Sequence, residues 1–490
     1  MLNRRKFLQS VSVSPLAAVV ATAKSESKRP NIVYVLADDL GWGDLGCYNS
    51  RSAIHTPNAD GLAAEGIRFT DMHSPSAVCS PTRYGLLTGR YCWRTSLKKG
   101  VLQGYSPNLI EAGRLTVPSL LKAQGYYTAG FGKWHLGLRS DEKTDYTKPL
   151  HPGPNDHGFD YYFGIPASLD MEPYLYFEND RVIEQPTGTT VGSNSPRGVF
   201  WRPGACAPHF KHEEVLPTLT KRVTEFIGER KNKPGPFFLY FALPSPHTPW
   251  LPTSEFRDRS RAGDYGDYVE EVDNTLGRVI RAIDEAGLAD NTLLVFTSDN
   301  GADWKLEDMA RYAHRANADW RGEKADVWEG GHRIPFIARW PGKIRRQAVS
   351  NELGCLTDFL ATVAAIHEVS LPDYAAEDSF NLLPAFLETN TRPLRDSVIL
   401  HSAGGMFSIR QGSWKLEEGL GSGGFSPPVE VAPAESGPKG QLYDLAADPG
   451  ELHNLYQDRP EAVDRLATLL ASAKSSGRTR PLHTPDHPFS

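Results

Sequence analysis

The chain has 490 residues, 40% hydrophobic and 23% charged, which is enough to bury a large core and is ordinary for a globular protein. A formal net charge of −6 argues against a general polyanion-binding surface such as a nucleic-acid binder carries, though not against a local basic pocket. Five cysteines, Cys47, Cys79, Cys92, Cys206 and Cys355, leave at least one unpaired or modified.

The N-terminus reads MLNRRKFLQSVSVSPLAAVVATAK. Arg4 and Arg5 precede Lys6, Phe7 and Leu8, as in a twin-arginine export signal, and ATA at 21–23 has the small-x-small form of a cleavage site. Residues 1–23 are therefore expected to be a signal peptide, with the twin-arginine export machinery as a partner and a periplasmic or secreted location. Nothing else approaches the roughly 18 consecutive apolar residues of a membrane span, so no transmembrane anchor is expected. If Cys79 is set aside, the other four cysteines allow three pairings, and the spacing does not choose among them.

Next come short apolar runs that end abruptly in polar residues. NIVYVLADD ends in Asp38 and Asp39. YYTAGFGKWHLG carries Lys133 and His135. PFFLYFALPSPHTPW runs into His247, and NTLLVFTSDNG ends in Asp299 and Asn300. Their length and their β-branched and aromatic content predict buried parallel strands. Between them VPSLLKAQG, LTKRVTEFIGERK and YVEEVDNTLGRVIRAIDEAG have helical spacing, with Gly125 and Gly287 as stops. The alternation predicts an α/β fold with a large, mainly parallel sheet flanked by helices over residues 29–390. Ligands gather at the carboxyl ends of such strands, where the polar residues fall.

From 391 to 490 the pattern changes to a smaller α+β unit built on an antiparallel sheet. SVILHS, MFSIRQG and SWKLEEG read as meander strands, QLYDLAADPGELHNL as turns, and PEAVDRLATLLASAK as a closing helix. Residues 419–440 are rich in Gly, Pro and Ser and read as a long loop.

Asp38, Asp39, Asp299 and Asn300 offer only oxygen ligands, which suits calcium or magnesium rather than zinc. The competing reading is a pair of helix-capping turns. Lys133 and His135 are two apart, so an extended segment points both the same way. With His247 and Lys324 they would make an anion pocket in which His247 and Lys324 act as proton donors. CSPTRYGLLTGR fits a helix start, with Ser80 as cap and Pro81 in the first turn. Arg83 then lies one turn beyond Cys79 on the same face. Packing, a disulfide and a thiolate nucleophile are the ordinary readings of Cys79. A thiolate-phosphatase loop needs a six-residue gap to its arginine, and here the gap is four.

These residues resemble a known family. CSPTR is similar to the Cys-x-Pro-x-Arg signature of the formylglycine-dependent sulfatases of the alkaline phosphatase superfamily, and YGLLTGRY to its continuation. GKWHLG, NIVYVLADDLGWGD, TSDNG, GEKADVWEGGHRIP and LYDLAADPGELHNL resemble further family motifs, in the expected order, over residues 29 to about 470. The resemblance implies that a maturation enzyme oxidises Cys79 to Cα-formylglycine. Its hydrate would attack the sulfur of a sulfate ester, and the resulting hemiacetal sulfate would eliminate sulfate. It implies one calcium ion on Asp38, Asp39, Asp299, Asn300 and residue 79. Lys133 would neutralise sulfate oxygens and Arg83 would stabilise the hydrated aldehyde. His135 would take the proton that releases sulfate, and His247 and Lys324 would bind the bridging oxygen and protonate the leaving alcohol. Ser168 matches a serine that supports the site in some members.

The implied substrate is a sulfated carbohydrate attacked from its end. Candidate selectors are His314, Asn317, Trp320 and Arg321, just before Lys324, and Trp201, Arg202, His209 and His212 in a loop after residue 185. Two alternatives stand beside this reading: a phosphodiester or phosphonate monoester hydrolase of the same superfamily, and a non-catalytic sulfated-glycan-binding protein.

Overall fold

The computed structural model describes residues 29–482. The expected signal segment, 1–23, lies outside them. Ten strands form the main sheet: β1 (Asn31–Asp38), β2 (Ile67–Phe69), β3 (Tyr127–Lys133), β4 (Tyr161–Ile165), β5 (Phe177–Glu178), β6 (Arg181–Val182), β7 (Phe237–Pro246), β8 (Thr292–Ser298), β9 (Phe336–Arg339) and β10 (Ala348–Ser350). Their spatial order is β10-β2-β9-β8-β1-β7-β3-β4-β5-β6. The five central strands, β8-β1-β7-β3-β4, run parallel. The flanking pairs β8-β9, β9-β2, β4-β5 and β5-β6 are antiparallel, so the sheet is mixed at its edges.

β1 shows why the centre is buried on both faces. Ile32, Tyr34 and Leu36 enter one apolar cluster, and Val33, Val35 and Ala37 enter the other. A strand apolar on both faces fits only between two helical layers. Each buried Val, Ile or Leu among them contributes about 1.5–3 kcal/mol by leaving water. On one face α1 (Pro57–Glu65) packs beside α5 (Gly263–Glu285). The stripe Tyr265, Tyr268, Val269, Val272, Leu276, Val279 and Ile283 of α5 lies in the same cluster as Val33. The other face carries α2 (Cys79–Thr88) and α3 (Val117–Ala123); α4 (Val215–Arg230) packs with α5.

A second sheet holds four antiparallel strands, β11 (Ser397–His401), β12 (Phe407–Gln411), β13 (Trp414–Glu417) and β14 (Gln441–Asp444). The stretch QLYD, expected as turn, is the fourth strand; its alternation is too short and polar to stand out. The closing helix, Pro460–Ser476, packs on this sheet with Leu466 and Leu470. Tyr91, Trp93 and Cys355 join the same cluster from the earlier part of the chain. The stretch after residue 185, expected as loop, forms two short antiparallel ribbons: Gly188–Thr190 with Gly204–Cys206, and Ser193–Asn194 with Phe200–Trp201. All five cysteines are free thiols. Among the described residues no helix is long and apolar enough to cross a membrane.

Candidate active site

The five central parallel strands end side by side, and each delivers polar residues to one edge. β8 leads into Asp299 and Asn300, β1 into Asp38 and Asp39, β7 into His247, β3 into Lys133 and β4 into Ser168. The register sets Ala37 opposite Ser298, and the Asp299 amide donates to the Ala37 carbonyl at 3.0 Å. The chain then turns sharply. Asp39 takes the left-handed φ of 66°, which aims its carboxylate away from the strand line. Gly132, with φ 105°, brings β3 so close to β7 that a Cβ would lie 1.9 Å from the Ala242 carbonyl oxygen.

Lys133 and His135 do not share an extended face as expected. The strand stops at Lys133, and His135 has a φ of 56°. Lys133 Nζ donates to Asp38 Oδ2 at 2.6 Å and to Ser168 Oγ at 3.1 Å. The His135 ring turns elsewhere, with Nε2 2.8 Å from the Leu102 carbonyl oxygen and Nδ1 buried without a partner. A carbonyl only accepts, so Nε2 carries the proton and Nδ1 keeps its lone pair. Burial, with Lys133 and Arg83 nearby, holds the His135 pKa well below the usual histidine value.

Cys79 opens α2 and is 2% exposed. The cap differs from expectation: the residue before the helix is Val78, in extended conformation, and Ser80 instead accepts from the Leu102 amide at 3.1 Å. Leu102 thus ties the start of α2 to the His135 ring. Burial pushes the Cys79 thiol up to about 12 despite Lys133 and Lys324 nearby, so at neutral pH it is a thiol and not a thiolate. One turn on, Arg83 is wholly buried. Its Nε and Nη2 donate to Asp299 Oδ2 at 3.1 and 2.7 Å, and its Nη1 donates to the Lys133 carbonyl at 3.1 Å.

Lys324 comes from a loop outside the sheet and donates to Asp39 Oδ2 at 2.7 Å. His247 Nδ1 is 2.6 Å from the Thr248 carbonyl oxygen, which leaves Nε2, 3.7 Å from Asp39 Oδ2, as the nitrogen toward the site. The Ser168 hydroxyl lies 3.3 Å from the His247 ring nitrogens. Asp38, Asp39 and Asp299 therefore face Arg83, Lys133 and Lys324. Burial raises Asp38, but Lys133, His247 and Arg83 outweigh it and hold the carboxyl well below its ordinary value. Burial and then the Asp38 charge push Asp299 up to about 6. One carboxylate of a close buried pair resists ionisation unless more positive charge arrives.

The donor set fits a hard cation. Asp38 Oδ1 and Asn300 Oδ1 are buried without any hydrogen-bond partner. Asn300 Nδ2 is turned to Asp39 Oδ1 at 2.7 Å, which fixes the amide with its oxygen free. Ligand atoms of Asp38, Asp39, Cys79 and His247 lie within 4.8 Å of one another. Two orphan oxygens among carboxylates are what an oxygen-seeking cation would satisfy.

The candidate selectors separate. His314 is buried, with Nε2 2.8 Å from Asp44 Oδ1, and the Asn317 amide holds the Ala302 backbone; both brace the scaffold. Trp320 packs on Trp42 and Arg333. Arg321 donates to the Tyr443 hydroxyl and stacks on Trp328, tying the Lys324 loop to the second sheet. Trp201 packs at a tilt on His212, and His209 pairs with Glu184 at the surface. Arg202 pairs with Asp170. Asp170, two residues after Ser168, was not among the sequence candidates; a lone aspartate in SLDMEP carries no pattern.

The family model described as Sulfatase matches residues 30–368. An N-acetylgalactosamine-6-O-sulfatase of Bacteroides thetaiotaomicron is 34% identical over 493 residues, covering 92% of this chain and 94% of the relative. Human arylsulfatase A is 34% identical over 457 residues, covering 90% of this chain and 86% of that enzyme. A solved structure from work on the metabolism of multiple glycosaminoglycans by Bacteroides thetaiotaomicron superposes with a TM-score of 0.80 at 33% identity, covering 92% of this chain and 100% of the other.

Proposed function

The chain belongs to the sulfatase family and is a sulfuric ester hydrolase, and we propose that it removes sulfate from a carbohydrate by means of a formylglycine made from Cys79 and one bound calcium ion. One observation carries this reading: the start of α2 places Cys79 against a set of hard oxygen donors, two of them orphaned. Calcium held by Asp38, Asp39, Asp299 and Asn300 would supply positive charge for the sulfate oxygens, and an oxidised Cys79 would supply a hydrated aldehyde as nucleophile.

The chain's own residues divide the remaining work. Lys133 offers its ammonium to the sulfate, held by Asp38 and Ser168. Arg83 anchors Asp299 from the same helix face as Cys79. His135 Nδ1 is a free base, kept unprotonated by its burial and its cationic neighbours. Lys324 stays protonated, because burial is outweighed by Asp39 and its pKa lies well above the usual lysine value. It can give a hydrogen bond to the leaving alcohol. His247 Nε2 faces the same region.

The sequence signature around Cys79 supports maturation by a formylglycine-generating enzyme. The Arg4-Arg5 segment supports export by the twin-arginine route to the periplasm or beyond. Similarity to the Bacteroides thetaiotaomicron N-acetylgalactosamine-6-O-sulfatase makes 6-sulfated N-acetylgalactosamine the first substrate to try.

The test is a screen of sulfated mono- and disaccharides with p-nitrophenyl sulfate and p-nitrophenyl phosphate as controls. Release of sulfate from at least one sugar is expected; a preference for the phosphate would favour a phosphoester hydrolase. Mass spectrometry of the Cys79 peptide is expected to show a loss of about 18 Da, the change from thiol to aldehyde. Activity with an unmodified thiol would overturn the nucleophile. Chelation and dialysis should lower both activity and thermal midpoint, and full retention of both would overturn the calcium assignment.

A further inference from the structure

Asp170 is a buried carboxylate two residues after Ser168 that none of these roles uses. It sits in a turn closed by the Met171 amide on the Ser168 carbonyl at 3.0 Å. The Arg202 amide and the Tyr174 hydroxyl both donate to the Asp170 carbonyl, at 3.1 and 3.0 Å, so its backbone is fixed. The residue is 3% exposed. The Arg202 guanidinium holds Oδ2, while Oδ1 is buried with no hydrogen-bond partner.

The charge state sharpens what is missing. Burial raises the Asp170 pKa, but His247, Arg202, Lys324 and Lys133 outweigh it and hold the carboxyl below its ordinary value. An ionised carboxylate accepts and cannot donate, so Oδ1 asks for a donor. A sulfate group has acceptor oxygens only and cannot supply one. Ser168, in the same turn, accepts from Lys133 at 3.1 Å and lies 3.3 Å from the His247 ring, so Asp170 adjoins the residues proposed to meet the leaving alcohol. A donor at this place belongs to that alcohol.

We propose that Asp170 is a specificity residue that accepts a hydrogen bond from a hydroxyl or amide N–H of the departing sugar, with Arg202 fixing its carboxylate. The inference rests on the sulfatase reading above and adds a leaving group rich in donors near the sulfated carbon. Arg202, its side chain 43% exposed, pairs with Asp170 and helps define the same subsite.

The experiment compares wild type, Asp170→Asn and Arg202→Gln on a sulfated monosaccharide and on p-nitrophenyl sulfate, which has no hydroxyl or amide donor. The readout is the ratio of kcat/KM for sugar sulfate to that for aryl sulfate. Asp170→Asn should lower this ratio about 10- to 100-fold, as loss of a charged hydrogen bond does. Arg202→Gln should lower it in the same direction by less, and it carries the test if the Asn variant does not fold. An unchanged ratio overturns the proposal, because Asp170 then acts only on the catalytic cations or on the fold. A wild-type protein that releases sulfate from neither substrate fails the sulfatase reading, and this proposal falls with it.

Discussion

A guanidinium with no exposed surface persists only where its donors are taken, and Arg83 satisfies that condition within one pocket. Two of its nitrogens meet Asp299 Oδ2 and a third meets the Lys133 carbonyl. Asp38 lies 3.6 Å away, so the same group also moderates the repulsion between two carboxylates. Removing one partner of a buried pair leaves a bare charge, which costs about 3–5 kcal/mol. Arg83→Gln should lower unfolding stability by that amount, measured as the urea midpoint at constant slope. Arg83→Lys should fall between the two, since an ammonium keeps the charge but loses the two-pronged contact. A Gln variant with the wild-type midpoint would contradict the account. The sequence made Arg83 legible through its four-residue spacing from Cys79. It did not reveal the Lys133 and His135 geometry, because the left-handed turn at His135 leaves no mark in residue type. Asp170 was invisible for a related reason: its role comes from a partner, Arg202, thirty-two positions away.

The elements around the pocket divide into those that carry chemistry and those that hold them. The apolar runs were legible as strands because both faces are buried and nothing else accommodates them. The short ribbons at 188–206 and the strand Gln441–Asp444 were not, since two to four residues are too few to show a period. Yet β14 and its neighbours complete the site. Ala325, next to Lys324, has a φ of 77° and donates its amide to the Ala77 carbonyl at 2.8 Å, while its own carbonyl accepts from Ala403 at 2.9 Å. Asp326 Oδ1 accepts from the Phe425 and Ser426 amides at 2.7 and 3.0 Å, and Oδ2 accepts from the Glu323 amide at 3.0 Å. One carboxylate thus clamps the 419–440 loop onto the segment that presents Lys324. Asp326→Ala would leave three amides without their acceptor, of which the Glu323 amide is buried and costs about 1–3 kcal/mol when left unmade. The expected outcome is new proteolytic cleavage within 419–434 together with a lower kcat on any active sulfate ester. Unchanged cleavage and unchanged kcat would show that the second sheet does not position Lys324.

Across the whole molecule, many ionisable groups are held neutral, and they pull the pH profile in opposite directions. Burial depresses His157, His212 and His401 to about 4. A depressed histidine contributes stability that is present above its unfolded value of about 6.5 and lost as pH falls toward 4. Glu323 is the reverse case. Burial, then the charges of Asp303 and Asp326, raise it to about 8. Its contribution is full below the unfolded carboxylate value of about 4.5 and disappears as pH climbs through 8. Glu417, also raised by burial, acts in the same direction. Below 6.5 the two classes oppose each other. Between 6.5 and 8 these histidines are neutral in both states, so the raised carboxylates set the direction, and His151, raised by its hydrogen bond to Asp156, acts with them. Wild-type stability should therefore fall from pH 6.5 to 8. Glu323→Gln removes one of the groups responsible and should flatten that slope by up to about 1.4 kcal/mol per pH unit. Urea midpoints of both proteins at half-unit steps over this range provide the measurement. Equal slopes in the two proteins would mean that Glu323 is already ionised in the folded chain across this range.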